Sequence, residues 1–215
     1  MDADVLRHAP VQERGRRRFD QLLDAAAAVI SDVGVDNATT NAIAARAGCS
    51  VGILYRFFPN KQALMQSLAR RYLEEIEGLL HRQETDGIHL WPLQDAVDWI
   101  VRAIMDFHAE RPAFQHVYRA MRAFEGAESM ARLNQVTQVI DRLLELRMPD
   151  APAGPRQVHA VTAVEAAQAL VVYANTLPPG DRERITGETV TMLVRYLEPA
   201  YAPVAMVPAA EGTTE

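Results

Sequence analysis

The sequence predicts an all-α protein of about nine helices, with a small N-terminal three-helix unit followed by a larger helical body. Three observations carry this expectation. Apolar residues recur at helical spacing along most of the chain, and no convincing period-two alternation marks a half-buried strand. Helix-breaking residues fall between these segments, at Gly34, Gly48, Pro59, Pro112 and Gly126 and in the stretches 148–155 and 177–181. The composition, 49% hydrophobic and 23% charged over 215 residues, is that of an ordinary globular chain able to bury a sizeable core.

The first helix is expected over Arg16–Val33, where Phe19, Leu22, Leu23, Ala26, Val29 and Ile30 make one apolar stripe that Gly34 ends. Thr39 or Thr40 can cap a short second helix running to Ala47, and Gly48 offers the left-handed conformation of a tight turn. Ser50 is a natural N-cap for a third short helix, stopped near Phe58 by Pro59. Asn60 then caps a long helix from Lys61 to about Arg82, with Leu64, Leu68, Tyr72, Ile76 and Leu79 or Leu80 facing inward. The stretch 83–92 is expected to be a loop between domains. Beyond it, helices are expected at 93–110, 112–125, 127–147, 156–176 and 181–198, with a loose tail after Pro199. The expected division is a basic arm at 1–15, a helix-turn-helix unit at 16–60, a connecting helix at 61–83, a helical body at 92–200 and a tail at 201–215.

Charge is divided unequally along this plan. The net charge is −6, yet between Val5 and Tyr72 ten Arg and Lys stand against five Asp and Glu. From Leu73 onward twelve basic residues face twenty-one acidic ones. A basic head and an acidic body suggest that one part meets a polyanion and the other does not; chance clustering of surface charge is the alternative. The N-terminus lacks the apolar stretch of a secretory signal, and no apolar run approaches the ~18 residues of a spanning helix. One cysteine, Cys49, fits a reducing cytoplasm and reads as a small buried hydrophobe rather than a reactive thiol.

The segment 40–57 has the spacing of a helix-turn-helix. Counted from Thr40, Ala44 is fifth, where the two helices approach closely, Gly48 is ninth, in the turn, and Leu54 is fifteenth, packing the second helix on the first. Ile43, Ala47 and Phe57 complete the apolar face. Ser50, Val51, Gly52, Ile53, Tyr55 and Arg56 are left pointing outward, a set whose hydroxyls, cation and small apolar groups suit a DNA groove and its phosphate walls. Lys61, the only lysine in the chain, adds a cation at the exposed N–H groups that open the next helix. Phe57 and Phe58 are better explained as core than as base-stacking rings.

The run TTNAIAARAGCSVGILYRFFPNKQAL closely resembles the N-terminal domain of TetR-type (tetracycline-repressor-like, TetR/AcrR) transcriptional regulators. The resemblance rests on Thr39-Thr40, Ile43-Ala44, Ala47-Gly48, Ser50, Gly52, Leu54-Tyr55, Phe57-Phe58, Pro59, Lys61 and Ala63-Leu64. It implies phosphate contacts from Thr40, Tyr55 and Lys61 and groove contacts from Ser50 to Arg56, with Thr39 counted among the DNA-binding residues. Val51 and Ile53 stand where many relatives carry Lys and Thr, which removes one phosphate cation. Arg17 and Arg18, with Arg14 and Arg16, resemble a basic arm laid along the DNA backbone; a solvated charge run is the alternative for Arg14 and Arg16. The resemblance also implies a double-stranded DNA operator, a small apolar effector, no cofactor or metal, and a homodimer built from the last two long helices.

The residues of the body support that picture only in part. Aromatic and methionine residues concentrate between Trp91 and Met130, and they read either as core or as the wall of an apolar pocket. The pocket candidates are Trp99, Phe107, Phe114, Tyr118, Met121 and Phe124, with His108, Gln168 and Asn175 as polar partners; His116 and Tyr173 are further polar candidates. The stripes of 156–176 and 181–198 can pair with a second subunit as a four-helix bundle or be sealed within one. An enzyme is the competing class, but the chain has no GxSxG, Walker, GxGxxG or HExxH motif, and its six histidines include no i,i+4 pair. A ligand-binding or interaction protein without DNA binding is the remaining alternative.

Overall fold

The computed structural model describes residues 13–123 and 127–201, with side chains described outside 121–134. Most of the expected arm, the tail beyond 201 and Phe124 lie outside the described residues, as do the side chains of Met121 and Met130. The described chain is all helical: α1 (Glu13–Asn37), α2 (Thr40–Arg46), α3 (Val51–Phe57), α4 (Lys61–Thr85), a 3-10 turn (Ile88–Leu90), α5 (Leu93–Glu110), α6 (Ala113–Ala123), α7 (Ala127–Arg147), α8 (Ala153–Ala174) and α9 (Pro179–Tyr201).

Each stop in the head has a local cause. The helical path of α1 breaks at Gly34 (φ 76°), as its sequence predicts, and a further turn carries the chain to Asn37. Thr39 caps α2 by accepting a hydrogen bond from the Ala42 amide at 3.1 Å. At the other end Gly48 sits at φ 62°, and the Gly48 and Cys49 amides donate to the carbonyls of Ala45 (3.1 Å) and Ala44 (3.0 Å). This crossed pair of bonds closes the helix and turns the chain sharply toward α3. Asn60 caps α4 through its side-chain oxygen, which accepts from the Ala63 amide at 2.8 Å. Ser50 occupies the cap position of α3, but its hydroxyl makes no capping bond.

One apolar core runs through the head and out along α4. Ile43, Ala44, Leu54 and Phe58 pack with the α1 stripe and with Ala63, Leu64 and Leu68. The same cluster continues through Tyr72, Ile76 and Leu80 to Phe107, Phe114 and Val117 in the body. Helix α6 packs on both α1 and α4. Arg71 of α4 pairs with Asp24 of α1 at 2.7 Å, and Arg111 pairs with Glu75 at 2.7 Å while lying over the Phe107 ring. A second cluster joins α5, α8 and α9 to Leu144 of α7.

Three expectations are corrected. The stretch 83–92 is not a plain loop: it holds the 3-10 turn and buries Ile88 at 1% exposure. Helix α8 begins three residues early, because Pro155 falls within its first turn, where no amide donor is needed. Helix α9 continues past Pro199 to Tyr201, which is buried and hydrogen-bonded to His159 at 2.9 Å. The turn that follows α4 is tied to the end of α9 by Arg147 of α7, whose guanidinium donates to the carbonyls of His89 (3.0 Å), Trp91 (2.7 Å) and Tyr201 (2.7 Å).

Candidate nucleic-acid interface and effector cavity

The head presents α3 on a firm support. Leu54 is fully buried and Phe58 likewise, so α3 is anchored by one side, and Ser50, Gly52, Tyr55 and Arg56 are exposed on the other. Val51 and Ile53 are half-buried, Val51 packing against the core beneath. Phe57 and Phe58 both lie against Phe19, with ring centroids 6.3 and 5.1 Å away, as core rather than as free stacking platforms. Tyr55 and Thr40 share a hydrogen bond at 3.3 Å, which joins the start of α2 to α3 on one face. Lys61 donates to the carbonyl of Asp36 at 3.3 Å, holding the ammonium beside the linker from α1 to α2.

Gly52 stands out for what does not surround it. A β-carbon added there would meet only the Ser50 hydroxyl, at 3.9 Å, and its backbone is ordinary helix. Neither the fold nor the backbone conformation requires glycine, which in a helix interior costs roughly 0.5–1 kcal/mol relative to alanine. A bare backbone on an exposed recognition surface instead permits close approach by a partner.

The arginines at the start of α1 differ from one another. Arg17 is exposed and paired with Glu13. Arg18 donates to Gln21 at 3.0 Å and reaches the Ala47 carbonyl at 3.4 Å, so it helps dock α1 on the turn. Cys49 is half-buried against the head core.

In the body, α4, α5, α6, α7, α8 and α9 enclose an apolar cavity of about 100 Å³. Phe114, Tyr118 and Gln168 line it, together with aliphatic residues such as Ile76, Ile100, Ile104, Ile140 and Val171. The remaining pocket candidates with described side chains stand elsewhere. Phe107 is core, edge-on to Tyr72 and Phe114. Trp99 faces an open, acid-rich groove between α4 and α5 beside Trp91 and Asp95. Asn175 ends α8, donating to the Val171 carbonyl at 3.0 Å and accepting from Arg182. His108 is buried, its ring edge-on to Phe114 at 4.7 Å. Burial pushes its pKa down to about 4, with the neighbouring Gln168 side chain acting in the opposite sense to a lesser extent. The aliphatic wall from α4, Leu73, Ile76 and Leu80, was not foreseen as lining; its signal was hidden in a stripe that also serves the core.

Among the described residues no helix is long and apolar enough to cross a membrane, and no cluster of side chains is suited to a metal ion. A compact helix-turn-helix with an exposed second helix, carried on a body that encloses an apolar cavity, defines the class of DNA-binding transcriptional regulators. Residues 22–68 match the bacterial regulatory proteins of the tetR family, and residues 92–197 match the tetracyclin repressor-like C-terminal domain. The chain is 26% identical to the HTH-type transcriptional repressor KstR of Mycobacterium tuberculosis over 152 residues, 71% of this chain and 68% of that protein. A TetR-family regulator from Streptomyces coelicolor superposes with a TM-score of 0.65 at 28% identity, covering 85% of this chain and 98% of that one. LfrR of Mycobacterium smegmatis, solved in complex with proflavine, shares the fold at 23% identity and a TM-score of 0.62, over 83% of this chain and 96% of that one. The chain belongs to the TetR family of helix-turn-helix transcriptional regulators.

Proposed function

We propose that the protein is a cytoplasmic, homodimeric repressor that binds a palindromic DNA operator and is released by a small apolar effector seated in the body cavity. The observation that carries this reading is continuity: α4 contributes Leu73, Ile76 and Leu80 to the cavity wall, and its first turns share a core with α3. A ligand that needs more room than about 100 Å³ favours a different position of α4, and therefore of the head. The shift is bounded by the ligand's difference in affinity for the two arrangements.

On the DNA side, Thr40, Tyr55 and Lys61 contact phosphates, and Ser50 to Arg56 enter the major groove, with Gly52 giving the closest backbone approach. Arg17, being exposed, is the better candidate for a backbone contact outside the groove; Arg18 and Thr39 support the turn. Dimerisation through α8 and α9 is supported by exposed apolar side chains on both: Val158 is 61% exposed, Val161 48%, Tyr173 53%, Met192 40% and Tyr196 38%. Such exposure along two adjacent long helices fits a surface covered by a second copy.

Footprinting on the region upstream of the protein's own gene, followed by selection from random DNA, tests the reading. Two related half-sites about one helical turn, or a multiple of it, apart are expected. A single half-site bound at full affinity overturns the dimeric reading, and absence of any DNA preference overturns the regulator reading for this chain.

A further inference from the structure

Gln168 projects into a wall that is otherwise almost wholly aliphatic and aromatic, and its Nε2 is buried with no hydrogen-bond partner. His108, 5% exposed, stands behind it outside the lining itself; the Gln168 side chain is near enough to raise the ring's pKa a little, yet the His108 Nε2 makes no hydrogen bond of good geometry. Buried amide and imidazole nitrogens are nearly always well paired in folded proteins, so two neighbours without a well-formed bond leave Gln168, the one that lines the cavity, open to an outside partner. Gln168 Nε2 can only donate, and His108 Nε2 donates in one of its neutral tautomers. Both therefore suit an acceptor oxygen.

The lining also limits charge. None of the described residues around the cavity is Asp, Glu, Lys or Arg. An anion or a cation drawn against this wall would lose its water and find no countercharge among the described residues. His108 does not supply one, since burial holds the ring neutral near neutral pH.

We propose that the effector is a neutral, largely apolar molecule carrying a carbonyl-type acceptor oxygen, which accepts from Gln168 Nε2 with His108 as a second donor. The proposal rests on the reading of this cavity as the effector site. It selects ketones, esters and amides over carboxylates, amines and plain hydrocarbons.

Four eight-carbon probes, 2-octanone, octane, octanoate and octylammonium, test this on the full chain by calorimetry and by thermal shift. 2-Octanone is expected to bind at least tenfold more tightly than octane, with octanoate and octylammonium weaker than either. Gln168→Leu should erase the preference for 2-octanone while leaving octane affinity unchanged, and His108→Phe should reduce it less. Without a probe, Gln168→Leu should melt no lower than the parent, because it removes a buried donor that makes no well-formed hydrogen bond. Equal binding of octane and 2-octanone, tighter binding of octanoate, or an unchanged preference in Gln168→Leu overturns the proposal while leaving the cavity as a binding site. Failure of all four probes to bind overturns both the proposal and the reading of the cavity on which it rests.

Discussion

In the head, Leu22, Ala26, Ile30, Leu54, Phe58 and Leu64 have no exposed surface, and α2 and α4 each carry a side-chain cap. In the body, Ile100, Ile104, Val136 and Ile140 are only half-buried around unfilled space, and the buried Nε2 atoms of Gln168 and of His108 behind it make no well-formed hydrogen bond. The contrast follows from what each region has to hold. A helix that must enter a groove in one orientation gains from close packing, which leaves few alternative arrangements. A region that must admit a guest and change shape needs contacts that can be remade at small cost, and such regions come from the less stable parts of a fold.

Truncation measures this contrast most directly. Leu54→Ala should cost about 4 kcal/mol and abolish DNA binding, because it opens a hole in a filled core. Ile104→Ala, at a wall that already borders a cavity, should cost only about 2 kcal/mol, since its side chain has fewer partner atoms to lose. Urea or thermal melts of the two variants check this, and equal costs would erase the distinction between the regions.

Acid should act on the body through His108. Its folded pKa of about 4 lies below the ordinary value of 6.5, so the unfolded chain takes up the proton first. Its contribution is therefore constant above about pH 6.5 and is lost as pH falls toward 4, by roughly 3 kcal/mol in all. His108→Phe should flatten that part of the stability profile, as read from melts at successive pH values.

Gly52→Ala separates folding from function in the head. It should raise stability by about 0.5–1 kcal/mol, because nothing in the protein crowds the position, yet weaken operator binding. A variant that gains stability and keeps full affinity would remove the close approach assigned to this residue. Lys61→Ala should leave melting nearly unchanged and lower the salt slope of binding by about one per monomer, alike for all sequences.

The same contrast explains what could be read in advance. Thr39, Gly48, Pro59 and Asn60 act on their own neighbours, so the stops of the head follow from local chemistry, and the spacing of Ala44, Gly48 and Leu54 suffices to place the turn. In the body, α5 and α7 begin and end where their breaks predict. The cavity wall was harder to foresee because α5 is apolar on two faces. Val97, Ile100, Val101 and Ile104 turn to the cavity, whereas Trp99 and Phe107 border the groove on its other side. Which face meets which neighbour depends on how six helices assemble, and that is not written in the periodicity of any one of them.

Arg147 gives α4 a pivot. Its guanidinium holds the carbonyls that follow the helix, and Arg142 adds a contact to Glu84 at 3.5 Å, so the C-terminal end of α4 is fastened to α7. The opposite end, at Lys61, carries the head. Twenty-five residues make a rod of roughly 37 Å, and Ile76 in the cavity wall lies only about 14 Å from the fastened end. A guest that pushes Ile76 outward by ~1 Å then swings Lys61 by about 2–3 Å, the ratio of two lengths on one rigid rod. In the proposed dimer, two such rods swinging symmetrically would change the separation of the recognition helices by up to twice that amount, and Arg147→Ala should loosen the fulcrum, leaving only the Arg142–Glu84 contact, without touching either proposed binding surface.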